Sequence, residues 1–263
     1  MNIKIDDIIN IAVKAGDIIM DIYNKDFSVV YKNDNSPLTE ADKKSNDIIC
    51  SRLKEIYPEI PIISEENKEI PYETRKNWEY FWLIDPLDGT KEFIKKNGEF
   101  TVNIALIKKN RPIMGVIYAP ALNLSYYAEE GNGAFKINDK GQKHKLPLYN
   151  NKFSNAIRVV SSKSHYNTET ESFINDLREI YDKVELLSIG SSLKICLVAE
   201  GVADIYPRFG PTMEWDIAAG DIIALETNKK LFKYKDGKFL DAFLYNKENL
   251  INSWFLIKDK DII

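Results

Sequence analysis

Apolar residues recur at helical spacing through the opening segment. Ile5, Ile8, Ile9, Ala12, Val13, Ile19, Met20 and Tyr23 fall along one side of a helix, so an amphipathic helix packed by that face is expected. Phe27 to Lys32 reads as a short strand, followed by a polar turn over Asn33 to Pro37. Thr39-Glu40-Ala41-Asp42 opens a second helix with Ile48, Ile49, Leu53 and Ile56 as its apolar positions, and Pro58 ends it. Ile60 to Ile63 and Tyr80 to Ile84 are apolar runs of strand length. Between them the charge-rich stretch Asn67 to Lys76 is expected to be a mobile surface loop, placed to cover a nearby site. Thr101 to Ile107, Pro112 to Tyr118, Leu124 to Ala128 and Gly133 to Ile137 then form strands divided by turn residues, which predicts an antiparallel meander.

The pattern weakens from Leu146 to Ser154, a connector taken as the boundary between one half at 1–148 and another at 149–263. The second half alternates. Strands over Ala156 to Ser161, Lys183 to Leu187 and Val202 to Tyr206 are interleaved with helices over Thr168 to Ile180, Ser192 to Ala199 and Trp215 to Glu226. This rhythm predicts a smaller, mostly parallel sheet with ligands at the carboxyl ends of its strands, and Leu231 to Lys235 and Ser253 to Ile257 add closing strands. By itself the pattern supports α and β mixed in two halves.

Composition narrows the function classes. With 263 residues, 44% of them hydrophobic, the chain can build one large domain or two modest ones. A formal net charge of −4 argues against a nucleic-acid polymer as partner, because such binders carry a basic patch or stripe. A small anion stays compatible if metal supplies positive charge. Cys50 and Cys196 lie in predicted helices without C-x-x-C spacing, which points to core thiols and not to a disulfide or zinc site. Lys4, Asp6, Asp7, Lys14 and Asp17 interrupt the apolar opening, so no signal-peptide core is read, and no run reaches transmembrane length. The expected location is a reducing cytoplasm, with peripheral attachment to the inner membrane face compatible.

The candidate chemistry centres on Asp85-Pro86-Leu87-Asp88-Gly89-Thr90-Lys91-Glu92-Phe93, where an apolar strand is expected to leave its sheet. Two carboxylates and the intervening Leu87 carbonyl are the donors that hard divalent cations prefer, and the N–H groups of Gly89 and Thr90 open a helical turn toward an anion. Taken alone, Asp88-Gly89 is as well read as the corner of a polar turn. Two further acidic clusters flank apolar elements: Glu65 and Glu66 after Ile63, and Glu214-Trp215-Asp216 before Ile217-Ala218-Ala219-Gly220. Each has a plainer reading too. Adjacent glutamates are commonly solvated charge, an aspartate in a first helical turn is favoured by the helix dipole, and Asp42 three residues after Thr39 fits a capping box.

Taken together, D-P-L-D-G-T and W-D-I-A-A-G resemble the signatures of the inositol monophosphatase superfamily of magnesium-dependent phosphatases. The longer runs Asp85 to Asn103 and Tyr206 to Gly220 are similar to its 3'(2'),5'-bisphosphate nucleotidase branch, and the likeness covers nearly the whole chain. The resemblance implies a layered αβαβα sugar-phosphatase fold of class α+β or α/β, with an antiparallel half and the smaller half described above. It implies two Mg2+ ions, about 3.5 to 4 Å apart as in two-metal sites generally. Glu65, Asp85 and the Leu87 carbonyl would hold the ion that binds the attacking water; Asp85, Asp88 and Asp216 would hold the ion facing the leaving oxygen. A third ion is implied near Glu66. Asp42 paired with Thr90 would orient the water, so that neither His144 nor His165 is needed as a base.

The same resemblance makes the substrate a small nucleotide, adenosine 3',5'-bisphosphate, hydrolysed to AMP and phosphate, and a by-product of sulfate activation and sulfotransfer. Glu65, Leu87, Asp88, Gly89, Thr90 and Asp216 would contact it. A second anion site is expected among Lys163, His165, Ser191, Lys194 and Arg208. Three rivals stand beside this reading: an inositol or other sugar phosphatase of the same superfamily, a non-catalytic Mg-dependent nucleotide or inositol phosphate binding protein, and a two-metal nuclease. Lys91-Glu92-Phe93 after D-G-T weighs against the first, the complete set of carboxylates with Thr90 against the second, and the acidic charge against the third.

Overall fold

The computed structural model describes residues 3–32, 37–149, 155–162, 167–235, 238–240, 243–259 and 262. The chain opens with α1 (Ile5–Tyr23), β1 (Val29–Tyr31), β2 (Pro37–Thr39), α2 (Glu40–Ile56), β3 (Ile62–Ser64), α3 (Tyr72–Arg75), β4 (Tyr80–Asp88) and α4 (Thr90–Ile94). The meander comes next as β5 (Thr101–Lys108), β6 (Arg111–Ala119), β7 (Leu124–Glu129), β8 (Gly133–Ile137) and β9 (Lys143–Lys145). The second half contains β10 (Ala156–Ser161), α5 (Thr168–Ile180), β11 (Lys183–Ser188), α6 (Leu193–Glu200), β12 (Ile205–Arg208) and α7 (Glu214–Leu225). It closes with β13 (Lys229–Lys235), β14 (Lys238–Leu240) and β15 (Phe255–Asp259).

Strands β3 to β9 form one sheet in sequence order, with β3 and β4 parallel and every later pair antiparallel. Side chains along β4 alternate between two cores, as the pleat requires. Trp82 and Ile84 pack with α1 and α2, whereas Phe81 and Leu83 pack with α6 and α7. Beyond those two helices lies a six-stranded sheet ordered β11-β10-β12-β15-β13-β14. Val160, Tyr206, Phe255 and Ile257 face α6 and α7, and Ile157, Val159, Ile205 and Leu256 face α5. The stack is therefore the five-layer αβαβα arrangement expected.

Helix α7 is apolar nearly all round because a sheet covers it on both sides. Its small residues set how closely the layers approach. A Cβ on Gly220 would come within 2.5 Å of Ile195, and one on Gly115 of β6 within 2.5 Å of the Ala219 carbonyl oxygen. A methyl group on Gly115 forces the sheet from the helix layer, and one on Gly220 forces α7 from α6 within that layer, each at about 1–3 kcal/mol for an overpacked core. The close fit carries the first turn of α7 to the end of β4.

Several expectations are corrected. The smaller sheet is mixed, not mostly parallel: β10 pairs parallel with β11 and β12, but β15 inserts antiparallel between β12 and β13. Strand β4 does not end at Ile84 but continues to Asp88 through an irregularity between Asp85 and Asp88. Strand β12 starts later than Val202, because Gly201 ends α6 in the left-handed conformation at φ 82° and the chain turns before pairing. The charged stretch after Glu66 is largely exposed, as expected, but is tied down at its far end. Arg75, 1% exposed, donates to Ile70 O, Asn246 Oδ1, Lys247 O and Glu248 O. Both cysteines are free and buried on helices. No helix of the described residues is long and apolar enough to cross a membrane.

Candidate active site

The Asp85–Thr90 turn is built by the continuation of β4. Asp85 still pairs with Asn103 on β5, and Asp88 pairs with Thr101, so one extra residue is accommodated and the strand bulges where the carboxylates stand. The bulge is held from both sides: the Ser45 hydroxyl of α2 donates to the Pro86 carbonyl at 2.7 Å, and the Leu87 N–H donates to Asp85 Oδ1 at 3.1 Å. Gly89 then turns at φ 92°, a left-handed conformation in which a side chain is strained. The short helix α4 beyond it is wedged by Phe93, whose ring lies 5.3, 4.8 and 5.2 Å from Tyr23, Phe27 and Phe100.

Glu65 arrives by the parallel strand next door. Its N–H donates to the Ile84 carbonyl at 3.1 Å, continuing the β3–β4 ladder one residue past the strand. Lys32, just past β1, donates to Glu65 Oε1 at 2.8 Å and to Glu66 Oε1 at 2.5 Å. Burial works against the Lys32 charge, yet the two glutamates outweigh it and raise its pKa. Lys32 was not a candidate from the sequence, since it stands in no motif.

Asp216 comes from the first turn of α7 and accepts the Met213 N–H at 2.8 Å. Ser192, ahead of α6, joins the two carboxylate sources. Its hydroxyl lies 2.7 Å from both Asp88 Oδ2 and the Asp216 carbonyl, and accepts from Asn103 Nδ2 at 2.9 Å. Asn103 was legible as the last residue of the run Asp85 to Asn103 and as a polar residue inside the otherwise apolar run of β5, but no role was attached to it. Asp85, 1% exposed, lies beneath the site. Burial pushes its carboxyl well above the usual carboxylate range, and Glu65, Asp88 and Asp216 push it further. Burial also raises Asp216, with Asp88 adding to the effect and the Met213 hydrogen bond opposing it.

Asp42 occupies the third position of α2, where Oδ2 accepts the Thr39 N–H at 2.7 Å and the Thr39 hydroxyl at 2.6 Å. Its other oxygen accepts the Thr90 hydroxyl at 3.1 Å. The capping role and the pairing with Thr90 therefore coexist on one side chain. Burial raises the Asp42 pKa, and these hydrogen bonds hold it back.

These elements enclose a cavity of about 230 Å3. Glu65, Asp88, Gly89, Thr90, Ser191, Ser192, Lys194, Arg208 and Asp216 all line it, together with Lys91, Glu92, Tyr206 and Thr212. Lys194 is buried, donates to the Ser191 carbonyl at 2.6 Å and stands over the Tyr206 ring at 5.5 Å. Burial lowers its pKa to about 8, and Asp88, Glu92 and Glu99 favour its charged form against Arg208. Arg208 donates through Nη2 to the Pro211 carbonyl at 3.0 Å, while its buried Nε has no hydrogen-bond partner among the described residues. Lys163 and His165 lie outside the described residues. His144 sits on β9, exposed and remote from the cavity lining.

Among the described residues no three acidic, histidine or cysteine side chains, as they stand, close around one point as metal ligands do. Glu65 reaches to Lys32, Asp88 to Ser192 and Asp216 to Met213. Their charges nevertheless converge on Asp85. Four carboxylates in one buried field, with a main-chain carbonyl at Leu87 between two of them, form an all-oxygen donor set that fits Mg2+.

The chain belongs to the inositol monophosphatase family, which matches residues 4–259. Within it, the 3'(2'),5'-bisphosphate nucleotidase CysQ of Escherichia coli O6:H1 is 44% identical over 255 residues, covering 96% of this chain and 98% of that protein. The crystal structure of CysQ from Bacteroides thetaiotaomicron aligns with a TM-score of 0.86 at 45% identity, covering 98% of this chain and 97% of that one. An inositol monophosphatase structure from Thermotoga maritima aligns at 0.77 with 25% identity, covering 97% and 91%.

Proposed function

We propose that this protein is a Mg-dependent 3'(2'),5'-bisphosphate nucleotidase that converts adenosine 3',5'-bisphosphate to AMP and phosphate. The observation that carries this reading is the make-up of the cavity: the carboxylates Glu65, Asp88 and Asp216 line it together with the basic side chains Lys91, Lys194 and Arg208. A single phosphate needs only the carboxylates and their metal. A bisphosphate also needs basic groups of the chain, and a buried guanidinium N–H without a hydrogen-bond partner among the described residues is the group a second phosphate satisfies.

Glu65, Asp85, the Leu87 carbonyl, Asp88 and Asp216 would hold two Mg2+ ions, with a third beside Glu66. When bound, the metal neutralises the carboxylates and the phosphate dianion, makes water a stronger acid and stabilises the departing oxygen. The remaining work falls to the chain. Thr90, its own proton held by Asp42 Oδ1, presents a lone pair that accepts a hydrogen bond from the attacking water. The Asp42 carboxylate is fixed by both Thr39 donors and is the nearer acceptor for the Thr90 hydroxyl, at 3.1 Å against 3.4 Å to the Leu87 carbonyl assigned to metal. The N–H groups of Gly89 and Thr90 face the scissile phosphate, and Lys194, Arg208 and Ser191 hold the other phosphate, with Lys163 and His165 assigned to the same subsite. No Cys, His or Ser nucleophile is required.

The test is phosphate release with Mg2+ from adenosine 3',5'-bisphosphate, inositol 1-phosphate and fructose 1,6-bisphosphate at equal concentration, with Asp88→Asn as the control. Preference for the nucleotide, lost in the variant, is the expected result. Preference for inositol 1-phosphate overturns the substrate, and turnover of none overturns the enzyme.

A further inference from the structure

The turn Asn97-Gly98-Glu99 has no part in the chemistry above, yet it stands between the two loops that make the cavity. Glu99 Oε2 accepts the Gly190 N–H at 2.7 Å across 91 residues of sequence. The turn itself is closed: Asn97 Oδ1 accepts the Glu99 N–H at 3.0 Å and Gly98 has φ 79°. The Glu99 carbonyl oxygen lies 3.1 Å from the position a Cβ of Gly89 would take, and 2.8 Å from that of Gly190. One residue therefore packs by its backbone on the glycine of the Asp85–Thr90 turn and on the glycine ahead of α6. It grips the second by its side chain as well.

Of the two serines after Gly190, Ser191 depends on that grip, while Ser192 has anchors of its own. Ser191 is held at φ 48°, an uncommon conformation for a residue with a side chain, and its carbonyl accepts Lys194 Nζ. Ser192 then reaches Asp88 and the Asp216 carbonyl. Glu99 also belongs to the negative surroundings of Lys194.

We propose that Glu99 is a positioning residue that sets specificity for a doubly phosphorylated nucleotide, by holding the 190–192 loop in register with the Asp88-Gly89-Thr90 turn. It thereby fixes the span between the phosphate that is cleaved and the phosphate held by Lys194 and Arg208. The inference rests on the bisphosphate reading given above.

The experiment compares Glu99→Ala, Glu99→Gln and Lys194→Ala, assayed with Mg2+ on adenosine 3',5'-bisphosphate and on adenosine 3'-monophosphate, which lacks the second phosphate. Glu99→Ala is expected to raise KM for the bisphosphate about tenfold, the loss of one charge-assisted hydrogen bond, with kcat on both substrates and KM for the monophosphate within about twofold. Glu99→Gln keeps an acceptor oxygen and is expected to recover most of that loss. Equal KM changes on the two substrates, or no change in the alanine variant, overturn the role of Glu99. Lys194→Ala separates the two readings. If it too fails to distinguish the substrates, the second phosphate site itself is wrong and the inference falls with it. If it distinguishes them while Glu99→Ala does not, only the inference falls.

Discussion

Helices α2 and α7 begin alike and end up with different chemistry. Each carries an aspartate at its third position that turns back to accept the N–H of the residue before the helix, Asp42 from Thr39 at 2.7 Å and Asp216 from Met213 at 2.8 Å. Locally both are caps. They differ in what stands across the gap. Asp42 meets hydroxyl donors, Thr39 on one oxygen and Thr90 on the other, and its remaining capacity is filled. Asp216 meets Asp88 and Glu65, and their charges raise its pKa beyond what its enclosure does. The first is an acceptor already satisfied, fit to orient a hydroxyl. The second sits among like charges, the setting proposed above for a metal ligand. The same local motif is thus proposed for two roles, with the opposite wall deciding which.

The largest expected effect tests the cation side of this contrast. Asp216→Asn keeps an oxygen for the Met213 N–H, so the helix start survives, but kcat/KM is expected to fall on the order of a thousandfold, several kcal/mol of lost metal-borne stabilisation. Calorimetric titration with Mg2+ is the second readout. Near-normal activity with unchanged metal affinity would remove Asp216 from the ligand set.

Asp42→Asn is the counterpart. The amide still accepts from Thr39 but offers an N–H in place of a lone pair at Thr90, reversing the direction of that hydrogen bond. A loss in kcat of about a hundredfold is expected, the lower range for a group that handles a proton. Mg2+ affinity should stay as in the wild type. If it drops as far as in Asp216→Asn, the two aspartates do one job and the contrast is lost.

Asp221 is a further aspartate, half-buried and outside the cavity lining. It stands on α7 beyond Asp216, accepts the Tyr245 hydroxyl at 2.8 Å, and is raised to about 6 chiefly by burial. A folded pKa above the ordinary carboxylate value means that folding favours the protonated form. Its contribution is fully present below the unfolded value and is lost as pH rises toward 6. Asp221→Asn is therefore expected to stabilise the protein by about 2 kcal/mol at pH 7, with the gain vanishing near pH 4. Urea melts at the two pH values measure it; an equal gain at both would mean that burial of the charge is not the cause.

The residues of the site were legible unevenly, and the reason is where their partners come from. Asp85, Asp88 and Thr90 share one short run with a proline and a glycine, a combination that a core does not need. Asp216 stands before a run of small residues that only a tightly sandwiched helix requires. Lys32 carries no such mark, and Glu99 is marked only by lying within the run Asp85 to Asn103, with no role attached. Each is an ordinary charged residue in a polar stretch, and its importance lies in a partner far along the chain. The antiparallel part of the second sheet was hidden in the same way, since β15 inserts between β12 and β13 across a long stretch of sequence.

Local order was enough to specify most of the elements, the amphipathic faces and the glycine turn after Asp88, while the carboxylates were singled out by their resemblance to the family's motifs. The elements, faces and turn come from backbone preference and from periodic burial, which act over a few residues. It took the packed molecule to bring Asp42 to a hydroxyl and Asp216 to other carboxylates, to set Lys32 between Glu65 and Glu66, and to stretch Glu99 across the two loops. Those outcomes depend on how closely five layers approach one another. That distance is set by contacts such as Gly115 of β6 against Ala219 of α7, between residues far apart in sequence.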